Sequence, residues 1–152
     1  MQKAISILLL LALTALYVFA LPVLLSWWNR IAFPWLPFAG HTGPLLYLRL
    51  SIPYLLAVLT LALPVGAGIA LRFAPAPFRF GLLPGLLPAA NMLRLLLTHT
   101  FTGLMQWMIA KDALLVLLLP ACIAWLFARL IRRWRARGGD AHSTSTSLAQ
   151  TG

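Results

Sequence analysis

The sequence predicts an all-α integral membrane protein: a bundle of about four transmembrane helices with short loops and a disordered carboxyl-terminal tail. Three observations predict it. Apolar residues make up 62% of the 152-residue chain and charged residues only 9%, whereas a soluble domain carries roughly 25% charged residues. The apolar residues gather into four runs, each near the length of about 20 residues that a helix needs to cross the hydrocarbon core. Basic residues then cluster directly after the last run, where a positive-inside signal belongs.

The first span is expected over about Ala4 to Trp27. A signal peptide is the rival reading. Lys3 would form its basic start, and Val18-Phe19-Ala20 resembles a small-residue cleavage site. The apolar run continues through Leu21 to Leu25, which favours an uncleaved helix. The connection that follows, Trp28 to Pro44, is apolar and proline-rich around Phe33-Pro34-Trp35-Leu36-Pro37-Phe38. It reads as an interfacial anchor.

The second span is expected over about Leu45 to Leu71, with Pro53 and Pro64 inside it and a small-residue patch at Gly66-Ala67-Gly68. Membrane helices accept proline because neighbouring groups satisfy the freed carbonyls. Small residues let helices approach closely. Arg49 near the start of this span reads as a snorkelling side chain. Arg72 to about Leu86 carries Pro75, Pro77 and Pro84 and is expected to be a loop, since proline removes backbone donors.

The third span is expected over about 87–109 and the fourth over about 113–131, with Lys111-Asp112 as the tight turn between them and Asp112 as the helix cap. Asn91, Arg94, Thr98, Thr102 and Gln106 are spaced by 3, 4, 4 and 4 residues. On one continuous helix they share a face. Such a polar stripe should turn from lipid toward other helices or a wet cavity. Arg94 has no acidic partner within any span. Asp112 is 18 residues on, about 27 Å along one helix. These five residues are the candidate contacts to a partner or substrate.

Pro120 lies inside the fourth span, and Cys122 in the same run reads as a small buried hydrophobe. A single cysteine excludes an internal disulfide. Arg129, Arg132, Arg133, Arg135 and Arg137 are placed to touch anionic lipid of the inner leaflet. Residues 138–152 are Gly, Ser, Thr, Ala and Gln with one Asp and one His. That composition cannot bury a core and predicts disorder. The net charge of +10 follows this distribution and does not point to nucleic acid.

The orientation follows from the basic loops. Lys3, Arg72, Arg79 and the terminal arginines fall on one side, which is the cytoplasm, with both termini inside. Arg30 and Lys111 fall on the other. A bacterial inner membrane is the expected location. The chain carries no carboxylate pair, no metal-ligand cluster and no glycine-rich phosphate cradle, so neither enzyme chemistry nor a cofactor is expected. The expected role is that of a non-catalytic accessory or assembly subunit of a larger membrane complex, docked on a membrane-protein partner or on itself. The alternative is a transporter or channel component for an anionic or phosphate-bearing amphiphile, its path lined by the third span. An enzyme using His99 as base and Arg94 as phosphate clamp is a more distant third.

Overall fold

In the computed structural model, the described residues are 2–32, 44–101 and 103–148, with side chains described over 2–31, 51–101 and 103–136. They form four helices: α1 (Gln2–Ala32), α2 (Pro44–Arg72), α3 (Pro77–Thr98) and α4 (Gly103–Leu148). Each is long and apolar enough to span a membrane. The proline-rich connection expected to anchor at an interface lies outside the described residues.

The helices pack in a closed ring. Around its rim, α1 packs on α2, α2 on α4, α4 on α3 and α3 on α1. The α1–α4 and α2–α3 pairs are the diagonals. α2 carries most of the core through Ala57, Val58, Leu61, Ala62, Val65 and Ile69. Large apolar side chains such as Leu8, Phe19, Leu97 and Trp107 point outward instead.

The prolines expected to form a loop lie mostly within a helix. The α2–α3 connection is only Phe73 to Ala76, and Pro77 opens α3 in its first turn. There a missing N–H is harmless and the fixed φ suits the helix. Pro84 and Pro88 continue inside α3. Because residues 77–86 are helical, Gly81 and Gly85 form a Gly-x-x-x-Gly face that the loop assignment concealed. A Cβ on Gly81 would stand 2.5 Å from Ala121 Cα, and one on Gly85 would overlap the Val116 carbonyl oxygen. α3 and α4 therefore approach backbone to backbone, as small residues permit. Gly66 does the same for α2 against Ile123 and Ala124 of α4.

The division between the third and fourth spans also moves. α3 ends at Thr98, and His99 is extended (φ −122°, ψ 140°). α4 begins at Gly103, so Lys111-Asp112 is no turn and Asp112 caps nothing. Thr98 is the last residue of α3. Its Oγ1 donates to Arg94 O at 2.9 Å and stands 2.9 Å from His99 Nδ1. At the carboxyl end, the α4 backbone stays helical to Leu148, past the Arg137 boundary expected for the bundle. Side chains from Arg137 onward lie outside the described residues.

Two buried tyrosines tie the diagonals. Pro120 has no N–H, so the Val116 carbonyl four residues earlier loses its helical donor. Tyr17 of α1 is fully buried, and its hydroxyl donates to Val116 O at 3.2 Å. One turn away on α4, the Tyr54 hydroxyl of α2 stands 3.4 Å from Asp112 O and 3.6 Å from Met92 Sδ of α3. Tyr17 thus bridges α1 to α4, and Tyr54 bridges α2 to both α3 and α4.

Tyr17→Phe leaves a buried carbonyl without a donor and should destabilise the bundle by about 1 kcal/mol. Pro120→Ala restores an N–H for Val116 O. In that background the cost of Tyr17→Phe should shrink, as read by thermal unfolding in detergent. An equal cost in both backgrounds would mean that the hydroxyl serves some other contact.

Candidate functional site

The expected polar stripe splits between two helices. Asn91, Arg94 and Thr98 remain on α3, Gln106 lies near the start of α4, and Thr102 falls outside the described residues. Arg94 is one turn from the carboxyl end of α3 rather than in the half nearer its start. Asn91, Arg94, Thr98 and Gln106 are all exposed. Met92 faces Tyr54 in the bundle. Arg94, two residues on, points roughly opposite. Instead of lining an interior, the polar face stands on the outer surface of the bundle beside Leu93 and Leu97. His99 is exposed at the α3–α4 connection, its ring stacked on Phe101 at 5.7 Å.

A second polar group, which the sequence reading placed in a turn, forms between α2 and α4. Lys111 Nζ donates to Ser51 Oγ at 2.6 Å and stands 3.1 Å from Asp112 Oδ1. Among the described residues this is the sole ion pair. Lys111 keeps 30% of its side-chain exposure and Asp112 only 16%. The approach to Oδ1 is close but off the hydrogen-bond direction, so this buried oxygen has a charge beside it and no aligned donor. Mutual neutralisation, with Ser51 as a further acceptor, is what lets two charged residues sit within a helix. Tyr54 touches the same turn through Asp112 O. Ser51, Tyr54 and Met92 are the members that sequence alone did not single out. The α3–α4 hairpin also changes the relation of Arg94 to Asp112. They lie on antiparallel helices, and the 27 Å single-helix separation does not apply.

At the opposite, basic end of the bundle, Arg129, Arg132, Arg133 and Arg135 are exposed on α4. Arg129 lies over the Trp125 ring at 5.4 Å, and Arg132 Nε donates to Ala128 O at 3.3 Å. Arg137 lies beyond the described side chains. Cys122 is exposed rather than buried, because it faces outward from α4 between the buried Ala121 and Ile123. Among the described residues, no three His, Cys, Asp or Glu side chains gather closely enough to hold a metal ion.

Comparison with protein-family models, with curated proteins and with solved structures gives no match.

The half-buried pair generates a stability ordering. Removing one partner leaves a charge without its counter-ion, whereas removing both does not. Lys111→Met and Asp112→Asn should each lower the unfolding midpoint in detergent, and the double variant should be more stable than either. A double variant that simply adds the two losses would contradict the pairing.

Proposed function

We propose that this chain is a multi-pass protein of a bacterial inner membrane, with both termini in the cytoplasm. In this reading it is a non-catalytic accessory or assembly subunit of a larger membrane complex. The outer face of α3 is its docking seam. The orientation rests on charge. Lys3, Arg72, Arg79 and the arginines from Arg129 onward belong to one end of the bundle, and Arg30, Arg49, Arg94 and Lys111 to the other. The richer end belongs in the cytoplasm.

The observation that carries the docking reading is the exposure of Asn91, Arg94 and Thr98 among exposed leucines. A polar strip facing hydrocarbon is costly, upward of about 2.5 kcal/mol for a charged arginine at mid-depth. Arg94 is near the helix end and recovers part of that by snorkelling. Asn91, one turn deeper, cannot reach as far. Interhelical hydrogen bonds from a partner helix would satisfy both, and an acidic side chain on that helix would pair with Arg94.

Transport of an anionic amphiphile is the second reading. It requires several copies to turn this same face inward around a shared path, because Arg94 lies outside the single bundle.

Purification of the tagged chain from native membranes in mild detergent, followed by mass spectrometry, tests the proposal. A stoichiometric larger membrane protein should co-purify. Arg94→Leu should release it while leaving the unfolding midpoint of the isolated chain unchanged. A homo-oligomer with no other subunit would overturn the accessory role and favour transport.

A further inference from the structure

The basic end of the bundle holds a groove that the α4 arginines do not line. Its walls are Lys3, Ser6 and Leu10 of α1 together with Arg72, Phe73 and Phe80 around the α2–α3 connection. The floor is apolar: the Phe73 and Phe80 rings pack with centroids 4.4 Å apart, and Leu10 and Ile7 extend that surface along α1. The rim is cationic. Arg72 is held in place by two bonds, Nε donating to Ser6 Oγ at 3.0 Å and Nη2 to Gln2 O at 3.3 Å. A guanidinium has five N–H donors, so most of the fork remains available beside the Lys3 ammonium.

Among the described side chains, no acid supplies the counter-charge. Asp112 is paired with Lys111 at the other end of the bundle. Asp140, the other acid of the chain, lies beyond the described side chains. α3 begins at the same place, with Ala76 giving no side-chain cap to its first turn. Amides of an uncapped first turn favour an anion.

Charge and shape together narrow the occupant. A planar guanidinium next to an ammonium matches a phosphate. A free phosphate would leave the Phe73, Phe80 and Leu10 surface uncovered, whereas an acyl chain would cover it. We infer that this groove binds one anionic phospholipid, its phosphate on Arg72 and Lys3 and one acyl chain along Leu10, Phe73 and Phe80. The inference rests on the chain residing in a bilayer and is independent of the subunit role.

The test uses the full chain, purified in mild detergent, stripped of lipid and titrated with phosphatidylglycerol or with phosphatidylcholine of the same acyl chains. Native mass spectrometry counts the lipids bound. One phosphatidylglycerol should bind in preference to phosphatidylcholine. At about 1 kcal/mol per basic group, Lys3→Gln with Arg72→Gln should weaken it about 30-fold. Lys3→Gln alone, which removes no hydrogen bond among the described residues, should weaken it about fivefold, and carries the test if Arg72→Gln fails to fold. Equal binding of both lipids, or undiminished binding by these variants, overturns the site. Loss only in Arg133→Gln/Arg135→Gln would move the lipid to α4. Full displacement by glycerol 3-phosphate would assign the groove to a free phosphate compound. Release of the chain from membranes without detergent would instead overturn the bilayer reading.

Discussion

The rest of the bundle depends on one carbonyl. Pro120 removes the N–H that would close α4 on Val116 O. A buried carbonyl left without a donor is costly. Tyr17 supplies the donor from the diagonal helix, and Gly85 is bare where a side chain would strike the same oxygen. Pro120 thereby accounts for the residue of α1 that reaches the centre, and the close α4 backbone for the side chain that α3 lacks. Tyr54 repeats the arrangement one turn away, reaching α3 at Met92 and α4 at Asp112. Within the buried core, where the other contacts are apolar and weakly directional, the two hydroxyls fix the relative height of the helices.

Filling the centre in this way sends other polar groups to the edges. Apart from the tyrosine hydroxyls, no polar side chain among the described residues is fully buried. Lys111 and Asp112 neutralise one another at one end. Arg72 is braced by α1 at the other. Asn91, Arg94 and Thr98 are left on the outside of α3. This last placement is why the functional proposal looks to a partner and not to an internal path. A packed core with two structural hydroxyls offers a substrate little to hold, whereas the outer face offers an amide, a guanidinium and a hydroxyl to another helix.

Much of the fold was legible in the sequence because its signals are compositional. Four apolar runs gave four helices. The patch at Gly66 gave a close helix contact, and the expectation that freed carbonyls find donors is met at Val116. Boundaries failed where one residue type carries two meanings. Proline reads as a breaker, yet Pro77 opens a helix and Pro84 lies within one. A charged pair reads as a turn, yet Lys111 and Asp112 stay helical because each offsets the other and Ser51 joins them. These two errors hid the Gly81–Gly85 face and merged two helices into a single five-residue stripe. Tyr17 was invisible for a different reason. Its partner lies 99 residues away, and only the tertiary arrangement brings them together. The four-residue offset between Val116 and Pro120 was the available clue.

The most direct test of the central tie is the carbonyl carbon resonance of Val116 in the isotope-labelled chain. It should be compared between the native protein and Tyr17→Phe. The account predicts that losing the hydroxyl moves this resonance toward that of a carbonyl without a hydrogen bond, with the largest change in α4 at Val116. An unchanged Val116 resonance, or a larger change elsewhere on α4, would contradict the claim that Tyr17 satisfies the carbonyl freed by Pro120.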